Sequence, residues 1–167
     1  RAAGQAGAAA GEQQPDIIAL QEVRHDALRD SQPQSLGLLL PEYQFVFQPA
    51  MSYPEQVFIR VEEGLAVYSK FPIETHDYIL LPRDRNDRDD VHQRIVLRVV
   101  VRTPYGPLQV LVSHFALTEQ ARDRAAVATW QYMTKFDPPQ VTRKKRKEEK
   151  MKDKEPKKKR AKKCQLC

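Results

Sequence analysis

The body of this 167-residue chain contains no cysteine, since Cys164 and Cys167 both sit at the extreme C-terminus. A disulfide framework and a thiolate metal site are therefore excluded from the body, which fits a reducing compartment. No apolar run approaches the roughly 18 residues that a membrane-spanning helix needs. The opening RAAGQAGAAAGEQQ has no apolar core, which argues against a signal peptide, and it does not begin with Met, so Arg1 reads as a cut end. There is no internal repeat, no Gly-rich phosphate loop, no H-E-x-x-H and no G-x-S-x-G, which removes the corresponding nucleotide, zincin and esterase readings. His25, His76 and His92 have no partner at metal-ligand spacing and read as surface residues.

What is present is unevenly distributed. Residues 140–167 hold 14 of the 28 Lys and Arg but only 4 of the 22 Asp and Glu, a local net charge of +10. Residues 1–139 are net −4. The overall +6 and the basic isoelectric point therefore belong to the tail. The organisation expected is a folded domain over 1–137 followed by a disordered lysine-rich tail over 138–167, because such a density of like charge cannot enter a core.

Within the body, Ala- and Gly-rich residues 1–13 read as a weak helix. Ile17-Ile18-Ala19-Leu20 reads as a strand buried on both faces, with Gln21-Glu22-Val23 at its C-terminal end. A helix is expected over 28–40, stopped by Pro41, then a strand over 43–47 and a loop over 49–60. Gly64–Tyr68 is a further apolar strand, with Ile73–Leu81 expected to pair beside it. The charged run 83–90 reads as a solvated loop. Arg94–Arg102 and Leu108–Ser113 form a hairpin around Thr103-Pro104-Tyr105-Gly106-Pro107, since Pro and Gly supply the turn dihedrals. Thr118 is placed to cap a helix with Glu119 in its first turn and Ala121, Ala125, Ala128 and Tyr132 on its buried stripe, ending before Pro138-Pro139. Buried strands, helices and a hairpin together predict a layered α/β domain.

Three residues stand out chemically. Glu22 follows a buried strand, where a carboxylate can serve a hard cation such as Mg²⁺ together with water and phosphate oxygens; a lone Glu there is more commonly an ordinary solvent-facing one. His114 also follows a buried strand and has the chemistry to donate to a phosphate oxygen or shuttle a proton, although a lone His is commonly structural. Glu63, half of a Glu62-Glu63 pair, could orient that imidazole if its strand neighbours the one before His114.

Three segments together resemble the endonuclease/exonuclease/phosphatase superfamily. Pro15-Asp16-Ile17-Ile18-Ala19-Leu20-Gln21-Glu22-Val23 is similar to its metal-binding strand. Glu63 through Ile73 is similar to its next block, and Leu108 through Phe115, with Val112-Ser113-His114-Phe115, is similar to its histidine strand. The resemblance spans roughly residues 1–135. It implies a partial four-layer α/β sandwich of the deoxyribonuclease I-like type, Mg²⁺ (or Mn²⁺) as cofactor, Glu22 as metal ligand, His114 as a catalytic contact to the scissile phosphate, Glu63 as its carboxylate partner, and Arg94 as a phosphate-binding arginine. The implied substrate is a phosphoester: nucleic acid, phospholipid or inositol phosphate. The family's opening Asn strand is expected upstream of Arg1. Its Gly-Asp-Phe-Asn and Ser-Asp-His blocks do not follow the helix at 118–136, so a truncated chain with weak or no activity of its own is expected.

The tail carries Arg143–Lys147 and Pro156–Arg160, two basic clusters that resemble a bipartite nuclear-import signal and would also bind nucleic acid or an anionic membrane. The location expected is nuclear or cytoplasmic. Cys164-Gln165-Leu166-Cys167 has the outline of a prenylation box with atypical residues, and a solvated tail without function is the plain alternative. The alternative for the whole chain is a non-catalytic adaptor whose basic tail binds nucleic acid or membrane.

Overall fold

The computed structural model describes residues 15–26, 28, 31–56 and 59–136. The expected helix over 1–13, the stop at Pro138-Pro139 and the lysine-rich tail lie outside them. Contacts divide the chain between Phe136 and Asp137.

The element order is β1 (Ile17–Asp26), α1 (Gln32–Leu39), β2 (Gln44–Gln56), β3 (Ile59–Ser69), β4 (Ile73–Leu80), β5 (Ile95–Thr103), β6 (Gly106–Ser113) and α2 (Glu119–Met133). The strands form two three-stranded sheets, β1-β3-β2 and β4-β5-β6, with every pairing antiparallel. Leu65, Val67, Ile95, Leu97, Val99, Val101 and Val112 fill the space between the sheets. On the outer face of the first sheet, Ala66 and Tyr68 pack against Leu36 and Leu40 from α1 and its C-terminal end. On the outer face of the second, Val96 meets Ala125 and Tyr132 of α2. The layers are therefore helix, sheet, sheet, helix. Alternation explains the arrangement: odd residues of β3 and β5 face the inter-sheet core, while Ala66, Tyr68 and Val96 face the helices.

Several expectations are corrected. The strands buried on both faces are the central β3 and β5; β1 is an edge strand, with Ile17, Ile18 and Leu20 half-buried and Ala19 exposed. Glu22 does not end β1, because the strand continues to Asp26 through an irregularity between Leu20 and Val23. The loop expected over 49–60 is largely strand: Pro49 and Pro54 fall at register shifts of β2, an edge strand, where a missing N–H leaves no ladder bond unmade. β4 pairs with β5, not with β3. The helix expected from Leu28 begins at Gln32, with Pro33 in its first turn, where its missing donor is tolerated. Thr118 occupies the N-cap of α2 but makes no side-chain cap bond. The 83–90 run is not uniformly solvated, since Asp90 is buried. The β5–β6 hairpin and the helix carrying Ala121, Ala125 and Tyr132 stand where the sequence places them.

Candidate active site between the two sheets

A cleft opens where β1 and β3 of one sheet face the start of β5 and the end of β6 of the other. Its walls are Glu22, Ala50, Met51, Glu63, Gly64, Leu65, Arg94, Ile95 and His114. All four residues singled out from the sequence line it, although they come from four separate chain segments.

Glu22 reaches the cleft through an unusual backbone. It is the described non-glycine residue with positive φ, at 55°, and sits in the β1 irregularity. A left-handed conformation costs an ordinary residue roughly 1–2 kcal/mol, and such strain concentrates where a side chain must be aimed. The Glu22 side chain is 67% exposed and its Oε1 lies 3.7 Å from His114 Nε2. That separation is too long for a hydrogen bond, so both groups keep bonding capacity toward the cleft.

His114 immediately follows β6, and its Nδ1 lies 3.0 Å from Arg94 Nη1. A guanidinium only donates, so Nδ1 is the acceptor and the neutral ring carries its proton on Nε2, toward Glu22. The Arg94 backbone is anchored in turn: its carbonyl accepts from the Leu81 N–H at 2.8 Å and from Gln93 Nε2 at 2.8 Å. Arg94 Nε is buried without a partner, leaving a donor available beside the imidazole. The structure differs here from the partnership expected for Glu63. Glu63 lines the cleft but makes no hydrogen bond or ion pair with His114: Arg94 occupies Nδ1, and the carboxylate beside Nε2 is that of Glu22.

Gly64 is not among the residues that the sequence singles out. A Cβ at that position would lie 2.0 Å from the Gln48 carbonyl oxygen and 2.7 Å from Pro49 Cα, so only glycine lets β2 and β3 approach at the cleft wall. A glycine opening an apolar strand was the available signal. For a hard cation, Glu22 and Glu63 offer carboxylate oxygens in one cleft, and no larger cluster of His, Cys, Asp or Glu gathers among the described residues. That donor set fits Mg²⁺ or Mn²⁺ held by one or two carboxylates and completed by water and substrate oxygens.

Two layers of antiparallel sheet between helices define an α/β sandwich. The endonuclease/exonuclease/phosphatase family matches residues 5–152, and the chain belongs to that family. Curated proteins yield no match. Among solved structures, an endonuclease/exonuclease/phosphatase from Bacteroides vulgatus is similar at 19% identity with a TM-score of 0.62, over 80% of this chain and 52% of the other. A family protein from Leptotrichia buccalis is similar at 14% identity and TM-score 0.60, over 80% and 55%. TDP2 from C. elegans is similar at 19% and 0.51, over 80% and 36%. These likenesses show a shared fold, and this chain spans about half the length of the first two structures. The family includes phosphodiesterases and phosphatases, so the chain belongs to a family of phosphoester hydrolases.

Proposed function

We propose that this chain carries one half of a metal-dependent phosphoester-hydrolysing site. The observation that carries the reading is the convergence of Glu22, His114 and Arg94 at one cleft: a carboxylate, an imidazole N–H and a guanidinium within bonding reach of a common ligand. In this reading Glu22 would hold Mg²⁺ or Mn²⁺, with Glu63 as the other carboxylate that lines the cleft. When bound, the cation supplies Lewis-acid charge to the phosphoryl oxygens. His114 Nε2–H donates to a non-bridging phosphoryl oxygen. Arg94 fixes the ring through Nδ1 and presents its remaining guanidinium N–H groups to the same anion. Substrate choice among nucleic acid, phospholipid and inositol phosphate belongs to loops around the cleft and is left to the assay.

The chain contains no Gly-Asp-Phe-Asn or Ser-Asp-His sequence, so the water-orienting carboxylate and second histidine implied by the family resemblance have no counterpart here. Slow turnover by this chain alone follows. The test incubates the purified full chain with Mg²⁺ or EDTA on a single-stranded oligonucleotide, sphingomyelin vesicles and an inositol phosphate. Weak, EDTA-sensitive hydrolysis that falls by about 10²-fold in Glu22→Gln and His114→Ala is expected. Hydrolysis indifferent to EDTA and to both substitutions overturns the reading, and turnover in the range of about 10 s⁻¹ ordinary for enzymes overturns its half-site part.

The tail's net +10 favours a second reading, an adaptor that binds nucleic acid or an anionic membrane, with the two basic clusters serving as a nuclear-import signal. Salt-sensitive oligonucleotide binding without any metal-dependent cleavage distinguishes it. A tail-deleted chain that stays nuclear counts against import.

A further inference from the structure

The cleft is built from two sheets, yet the residues facing each other across it must hold their spacing to within about 0.5 Å to share a ligand. One hydrogen-bonded relay crosses the gap at that point. Gln21 Nε2 donates to the Ser113 carbonyl oxygen at 2.8 Å, and Ser113 Oγ donates to the Ile95 carbonyl oxygen at 2.8 Å. Each member of this relay is the immediate chain neighbour of a cleft residue: Gln21 precedes Glu22, Ser113 precedes His114 and Ile95 follows Arg94. The second link lies within one sheet and repeats what the β5–β6 ladder already secures, since Val96 is registered with Ser113. The first link joins different sheets, at the irregularity that turns Glu22 into the left-handed region.

We propose that Gln21 is a positioning residue: its amide N–H, bonded to the Ser113 carbonyl, sets the Glu22–His114 spacing and holds the strained β1 irregularity in place. Nothing about Gln21 needs a ligand of its own. It acts through Glu22 and His114, and the proposal rests on the function proposed above only where metal is used as the probe. A donor is required, because the partner is a carbonyl oxygen. Gln21→Glu keeps the size and removes the donor, placing a carboxylate against that oxygen. Gln21→Lys restores a donor on a chain long enough to reach.

The experiment uses the full-length chain in solution, with two readouts. Without metal, a nuclear Overhauser contact between the His114 ring and the Glu22 side chain reports the spacing directly, the ring being assigned with His114→Gln. With Mn²⁺ alone as probe, paramagnetic broadening of the same ring reports a cation at Glu22, with Glu22→Gln as control. The wild type and Gln21→Lys should show the contact and Gln21→Glu should lose it, while amide shifts of the β3 and β5 core stay unchanged. Mn²⁺ affinity should fall roughly three- to tenfold in Gln21→Met, which removes the donor without adding a charge beside Glu22, the worth of one net hydrogen bond. Retention of the ring contact in Gln21→Glu, or its loss in Gln21→Lys as well, overturns the positioning role. Absence of broadening in the wild type, with the contact still dependent on Gln21, removes the metal reading and upholds the positioning role.

Discussion

At the scale of single residues, burial and backbone geometry decide more than residue type. Tyr68 lies fully buried between the first sheet and α1, stacks at 5.2 Å on Phe45, and donates its hydroxyl to the Pro33 carbonyl at 2.7 Å. Burial disfavours the phenolate and pushes the Tyr68 hydroxyl up to about 12. Because the folded value exceeds the unfolded one, the contribution to stability is complete below about pH 10 and is lost as pH rises toward 12. Urea midpoints measured between pH 8 and 12 should therefore fall in the wild type across that upper window. Tyr68→Phe should start about 1 kcal/mol lower, having lost the bond to Pro33, and show a shallower decline. A parallel decline in both proteins would exclude Tyr68 as the cause. Glu22 illustrates the limit of reading a sequence at this scale. Its carboxylate chemistry and its place after Ile17–Leu20 were legible, but a positive φ in a Glu has no sequence signature. It arises from pairing constraints on either side, Leu20 with Ala66 and Val23 with Gly64. Likewise the Arg94 contact at His114 was not legible, because nothing local distinguishes it from the Glu63 contact expected.

Elements become legible where local chemistry and tertiary context agree. The β5–β6 hairpin is such a case, since Gly106 takes φ 118° where the turn leads into β6 and β5 is rich in β-branched residues. The β2–β3 pair is the opposite case. Two prolines read as loop, and only membership at a sheet edge makes them tolerable within a strand. That close pairing predicts a sharp outcome for Gly64→Ala: the new methyl would meet the Gln48 carbonyl at 2.0 Å, so β2 and β3 must separate. A loss of about 1–3 kcal/mol or more in chemical denaturation is expected, as for an overpacked core. The 81–94 connection supplies a second prediction. Asp90 is 3% exposed, accepts from the Asp84 N–H at 2.9 Å, and accepts from Arg124 Nη2 of α2 at 3.1 Å. Burial works against its charged form, but the Asp84 bond, the Arg124 bond and charge, and nearby Arg83 outweigh it and hold the carboxyl below its ordinary value. A lowered folded value means stability present above the unfolded value and lost as pH falls through the folded one. Asp90→Asn should therefore cost about 1–3 kcal/mol at pH 7. That deficit should shrink below about pH 4 as the wild type loses the same charge. A deficit independent of pH would assign the effect to packing alone.

For the whole molecule, the layered class follows from patterning, but the assignment of strands to sheets does not. β4 follows β3 directly and still joins the other sheet, because Lys70, Phe71 and Pro72 carry the chain across and the Ile73 N–H is secured by Gln44 Oε1 at 2.9 Å. This crossover brings β2 near β4 on one side of the sandwich and β1 near β6 on the other, the side where Glu22 meets His114. Among the described residues, β6 pairs on one edge only, and the second edge of β1 holds just the isolated His25–Ser31 bridge. The sandwich is thus most constrained along β3 and β5, which are paired on both edges and buried on both faces. It is less constrained along its edge strands, among them β1, which carries Glu22, and β6, which leads into His114. Since local opening tracks burial and pairing, amide hydrogen exchange on the full chain should be slowest in β3 and β5 and faster in β1 and β6. The relatives of known structure are about twice as long as the part this chain matches, so a polypeptide completing either edge would slow exchange in β1 or β6 specifically. Uniform protection across all six strands in the chain alone would show that these edges are already held. The half-site reading would then lose its structural basis.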